Sequence, residues 1–113
     1  MQDFITQLEQ SPNLIEFSQT MAMIEKNYVF TPVEFKNGDL LNQAGENSGS
    51  CKIFAFGLLE KLSVEQTLSC FGEYYREDVL KKPEATDHMN IRNFMQHGWD
   101  GIHFSAPALV KSE

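Results

Sequence analysis

A polar loop of small residues that runs straight into an apolar segment, Asn42 to Leu62 (NQAGENSGSCKIFAFGLLEKL), constrains this chain more than any other stretch. Ile53, Phe54, Ala55, Phe56, Leu58, Leu59 and Leu62 would cover a helix nearly all the way round, which is the pattern of a helix surrounded by other elements. It is therefore expected to be the central core element. The loop before it brings Gly45, Glu46, Asn47, Ser48, Gly49 and Ser50 to the helix start and puts Cys51 and Lys52 in its first turn. Helix starts attract anions and activate thiols, so this is also the first place to look for chemistry.

The remaining elements are arranged around that helix. Phe4, Ile5 and Leu8 predict a short first helix ending near Gln10, and Ser11 with Pro12 starts a second. Its stripe Leu14, Phe17, Met21 and Ile24 carries it to about Lys26. Tyr28 to Lys36 is β-branched and aromatic, with Pro32 confining it to an edge or an irregular extended stretch, and Asn37-Gly38 predicts a turn with Asp39 to Leu41 pairing briefly after it. Ser63 to Gln66 reads as a capping box opening a helix that continues through Val64, Leu68, Phe71, Tyr75 and Val79 to Lys82. Thr86 or Asp87 caps a last helix from His88 to His97, with Ile91, Phe94 and Met95 inward and Gly98 closing it. Trp99, Ile102 and Phe104 would add a short strand against the Tyr28 to Phe35 segment, and Ala106 to Glu113 is expected to fray. The reading is an α+β fold, predominantly α, with about five helices around the central apolar helix and a small two- or three-stranded sheet.

At 113 residues the chain is expected to form a single domain over 1–113 with a core large enough to fold without covalent staples. A formal net charge of -7 and only nine Lys and Arg argue against nucleic acid and anionic membrane surfaces as partners. No apolar run approaches the roughly 20 residues needed to span a bilayer, and Met1 to Gln10 has no signal-peptide pattern. Cys51 and Cys70 lack metal or redox spacing, so reduced cytosolic thiols are expected.

Two clusters carry candidate chemistry. Cys51 has its thiolate favoured by the helix start and by Lys52, which would make it a nucleophile, against the alternative of a small buried apolar residue. The last helix concentrates His88, Asn90, Arg92, Asn93, Gln96 and His97, more hydrogen-bonding groups than a helix needs to stay soluble. Arg92 could clamp a carboxylate or phosphate with Asn47, Ser48, Ser50, Lys52, Asn90 and Asn93, and His88 or His97 could serve as acid or base. Asp87, His88 and His97 do not have the spacing of a zinc site, and Gly45 and Gly49 fit neither nucleotide-loop fingerprint, so no metal or cofactor is expected.

The strings NQAGENSGSCKIFAFG, FGEYYREDVL and TDHMNIRNFMQHGWDGIHF, with MAMIEKNYVFTPVEFKNG before them, resemble the HopJ type III effector protein family over about Ser11 to Phe104. The resemblance implies a bacterial protein and brings no catalytic residue to place on Cys51, His88 or Arg92. Type III secretion normally uses a flexible leader, whereas helical periodicity here starts at Phe4, so a resident cytoplasmic protein is expected despite the family's name. Three functions follow: a small interaction protein binding an unknown protein partner, a protein binding a small anionic ligand, or a thiol enzyme using Cys51 with His88 or His97. Whether the Asn47 to Lys52 loop and the His88 to His97 helix meet in one pocket separates the site readings from the interaction reading.

Overall fold

The computed structural model describes residues 1–112. Its helices are α1 (Gln2–Gln10), α2 (Phe17–Asn27), α3 (Ser48–Glu60), α4 (Val64–Ser69) and α5 (Met89–His97), with a π-helical segment at Tyr74–Val79. Five three-residue strands complete the fold: β1 (Tyr28–Phe30), β2 (Phe35–Asn37), β3 (Leu40–Asn42), β4 (Ile102–Phe104) and β5 (Leu109–Lys111). They form two antiparallel sheets, β1–β5 and β3–β2–β4, the predominantly helical α+β architecture expected from the sequence.

The apolar helix is the centre. Ile53, Phe54 and Phe56 are fully buried, and the Phe54 ring meets Phe35, Phe71, Phe94 and Trp99 at centroid distances of 4.9 to 6.5 Å. These neighbours come from β2, the turn after α4, α5 and the turn after it, so one side chain gathers four parts of the chain. Leu58 and Leu59 break the pattern: both are about half exposed near the end of α3.

Four expectations are corrected. The second helix does not begin at Pro12. Pro12–Leu14 is one 3-10 turn and Leu14 is exposed, because Ile15 adopts an extended backbone, buries its own side chain and gives its carbonyl to Arg76 Nη1 at 2.6 Å. The helix opened by the Ser63–Gln66 capping box, which does form, ends at Ser69 rather than running to Lys82. Gly72 turns the chain there with φ +60, and a β-carbon on it would lie 2.5 Å from the backbone nitrogen of Phe17, so the close approach of α2 requires the glycine. Met95 in α5 is exposed rather than inward.

The tail is the fourth correction. Residues 106–112 do not fray: Ala108 and Leu109 are buried and β5 pairs with β1 in the register Tyr28↔Lys111, Val29↔Val110, Phe30↔Leu109. Period-two alternation over so few residues is too short to read as a strand without knowing its partner. The turn of the first hairpin also shifts by one residue, since Asn37 pairs with Leu40 and leaves Gly38-Asp39 as the loop. β4 pairs with β2 at Phe35 to Asn37, so of the expected partner segment Tyr28 to Phe35 it meets only Phe35, while Tyr28 to Phe30 pairs with β5 instead. Replacing Leu109 with Ala should therefore lower unfolding stability by about 2–5 kcal/mol in a denaturant titration; a frayed tail would leave the midpoint unchanged.

Candidate functional site

The starts of α3 and α5 lie side by side and form two walls of a cleft of about 550 Å³. The α3 start contributes Asn47, Gly49 and Ser50, and the α5 start contributes His88, Met89, Asn90 and Ile91. Phe17, Leu40, Phe71 and Tyr74 supply the apolar side. Phe17 approaches closely because position 49 is glycine: a β-carbon there would lie 2.8 Å from its ring.

Both helices begin in the same unusual way. Their first flanking residues, Asn47 and His88, adopt left-handed backbone with φ near +50, and neither gives a side-chain cap. Neither Thr86 nor Asp87 caps α5, a correction to the sequence reading. The first helical bonds run from Cys51 N to Asn47 O and from Ile91 N and Arg92 N to His88 O. The N–H groups before them have no intrahelical acceptor, so two partly positive helix ends face one cleft. α2 differs, because Glu73 Oε1 accepts the Phe17 N–H at 2.9 Å and already fills that start.

A buried amide network holds the two walls together. Asn42, on β3, is the hub: its Oδ1 accepts from Asn47 Nδ2 at 2.7 Å and from Asn90 Nδ2 at 2.9 Å, while its own Nδ2 donates to Asn90 Oδ1 at 3.2 Å. Asn37 Nδ2 donates to the backbone and side-chain oxygens of Asn90 at 2.7 and 3.1 Å, and Asn93 Nδ2 donates to Asn37 O at 3.0 Å. The β2–β3 hairpin is thus bonded to both helix starts. Among the described residues Asn37 Oδ1 is buried without a hydrogen-bond partner, which carries a cost.

His88 is fixed from three sides. Its Nε2 lies 3.1 Å from Asp78 Oδ2, its ring stacks on Tyr74 at 5.2 Å, and its backbone is held left-handed. The π-helical segment matters here, because it carries both Tyr74 and Asp78 to the same imidazole. Asp87 Oδ2 stands 4.0 Å from the same nitrogen. Sequence spacing gave no hint of Phe17, Phe71, Tyr74 or Asp78 as site residues; the FGEYYREDVL string held the last three, but a helical reading spread them over the wrong faces.

The structure thus brings together Asn47, Ser50, His88 and Asn90 and leaves the other candidates apart. Ser48 lies at the rim, its hydroxyl donating to Gly45 O at 3.4 Å. Arg92 is spent on the preceding loop, donating to the carbonyls of Asp87 and Lys82 and to Asp87 Oδ1. That contact holds the Asp87 carboxyl below its usual range. Lys52 points to Glu25 at 3.8 Å and lies over the Phe30 ring, outside the cleft. His97 is exposed over Gly38 of the hairpin turn, and Asn93 is structural.

Cys51 is buried and does not line the cleft; its Sγ lies 4.0 Å from Val33 O. Burial pushes its thiol up and outweighs the Val33 contact and the nearby Lys52, the reverse of activation. Burial pushes Cys70 up to about 12. The pairing of Cys51 with His88 or His97 is not assembled. Among the described residues no three His, Cys, Asp or Glu side chains gather as a metal site, and no helix is long and apolar enough to cross a membrane.

The sequence matches the HopJ type III effector protein family over residues 1–109. The chain belongs to the HopJ type III effector protein family. A crystal structure of a protein of unknown function, VPA0580, is 59% identical and superimposes with a TM-score of 0.98, covering 99% of this chain and 93% of that one. No curated protein matches the sequence.

Two outcomes follow. Asn42→Leu leaves the buried Asn90 Nδ2 without its acceptor and should cost about 1–3 kcal/mol, measured by chemical unfolding. At neutral pH both cysteines should react with a thiol reagent more slowly than a free cysteine, Cys70 slowest; fast labelling of Cys51 alone would restore it as a nucleophile.

Proposed function

We propose that this HopJ protein binds a small carboxylate ligand with an apolar body in the cleft between the starts of α3 and α5. The supporting observation is the convergence of the two uncapped helix starts on one concave surface with an apolar side. The N–H groups of Gly49, Ser50, Met89 and Asn90 suit a carboxylate, and Phe17, Phe71 and Tyr74 suit the apolar remainder. The mixture of charge-seeking and apolar walls favours a small amphiphile over an inorganic ion. A catalytic role has no such support, since the one nucleophile the sequence offered is buried elsewhere.

Binding of a protein partner is the second reading, and one feature favours it. Leu58 and Leu59 of α3, with Ala55, Phe104 and Leu109, line a separate apolar groove of about 300 Å³. Residence in the bacterial cytoplasm accompanies the ligand-binding reading.

Titrating the isotopically labelled protein with benzoate tests the site. Amide resonances of Ser48 to Ser50 and of Met89 and Asn90 should shift together and saturate. Shifts confined to the Leu58–Leu59 groove, or none, would reject the ligand-binding reading. Export of a tagged chain that depends on a type III apparatus would reject cytoplasmic residence.

A further inference from the structure

The last two strands carry an unpaired backbone edge. β5 pairs with β1 and β4 with β2 in one continuing register, Phe30↔Leu109 in the first ladder and Phe35↔Phe104 in the second, which sets Pro32 opposite Pro107 between them. The bonds from Thr31 N to Ala108 O and from Ser112 N to Asn27 O fix which residues turn their backbone towards β1. Antiparallel bonding alternates, so the Val110 N–H and C=O face β1, whereas those of Leu109 and Lys111 face outward. By the same alternation the bonds from Gly38 N to Gly101 O and from Ser105 N to Glu34 O turn the Phe104 backbone away from β2. Among the described residues no further strand covers these groups, because β5 and β4 each end their sheet.

The apolar groove follows this edge. Its walls are Ala55, Leu58 and Leu59 of α3 on one side and Phe104, Ala106 and Leu109 on the other, so two of the outward-facing backbone positions line it. We propose that the groove takes an extended apolar segment of another protein as an added strand. Its backbone bonds to Phe104, Leu109 and Lys111, and alternate side chains rest on Leu58 and Leu59. This rests on the partner-binding reading given above and names the partner's conformation and chemistry.

The hydrogen-bonding groups select that occupant. A helix laid on Leu58 and Leu59 would cover the apolar wall and leave the strand edge unpaired, whereas an extended segment satisfies both. Pro107 has no N–H to offer, so the added strand is held at its two ends rather than along an unbroken ladder. Extended chain alongside Phe104 to Leu109 amounts to about six residues. A second copy of this chain is the poorer occupant, because it brings another formal charge of -7 to the contact. Basic flanks on the added segment suit the same charge.

The probe is a capped synthetic peptide of alternating valine and threonine with a lysine at each end, titrated into the isotopically labelled protein. The amide resonances of Phe104, Leu109 and Lys111 should shift together and saturate, and hydrogen exchange at Leu109 and Lys111 should slow by about tenfold or more. Val110, already bonded to β1, should change little. The same peptide N-methylated at every central residue keeps its side chains, loses its donors and should not bind. Leu59→Glu, at a half-exposed position the fold tolerates, should abolish binding of the parent peptide with the rest of the spectrum unchanged. Equal binding of the two peptides overturns strand addition while leaving the groove as a docking site. Binding of neither overturns the partner-binding reading as well. Dimerisation of the protein alone through these same residues assigns the edge to a second copy and overturns the proposal.

Discussion

The packing of four aromatic side chains on Phe54 is the constraint on which the other features depend. Phe54 sits in the middle of α3, fully buried, and Phe35, Phe71, Phe94 and Trp99 close around it from β2, the turn after α4, α5 and the turn that follows. Each buried aromatic removes a large apolar area from water, and edge-to-face pairs add directional preference. The consequence is positional. With Phe94 and Phe35 docked on one ring, α5 and the β2–β3 hairpin have a single place beside α3, and the two helix starts come out next to each other.

Polar contacts then finish what the aromatics begin. Asn42 bonds to both Asn47 and Asn90, so the distance between the helix starts is fixed by amides rather than by packing alone. The same hairpin holds Asn37, whose Oδ1 is buried without a hydrogen-bond partner among the described residues. On the opposite side the π-helical segment, the Gly72 turn and Glu73 at the start of α2 bring Tyr74 and Asp78 to His88. A core helix, an amide hub and a widened helical turn together build one cleft from three sequence segments.

The sequence made the centre legible because burial all round a helix leaves a period-independent apolar run, as Ile53 to Phe56 shows. The capping box at Ser63 and the closing Gly98 were equally readable, since local hydrogen bonding decides them. What stayed hidden depended on distant contacts. The extended Ile15 exists because Arg76 takes its carbonyl from 61 residues away, and Gly72 breaks a periodic helix because α2 lies against it. β5 follows from a partner strand that precedes it by some 80 residues. For the site, the two segments singled out do converge, yet their cations do not: Arg92 and Lys52 find local carboxylates and carbonyls first, and burial reverses the expected activation of Cys51.

A small cleft between two helix starts, with an apolar side, suits the metabolite-sized carboxylate proposed for it. The direct measurement is the position of such a molecule in a crystal of the complex. Benzoate should be seen with its carboxylate at the starts of α3 and α5 beside His88 and its ring against Phe17 and Phe71. A benzoate seated instead in the groove at Leu58 and Leu59, with the cleft filled by solvent, would contradict the account.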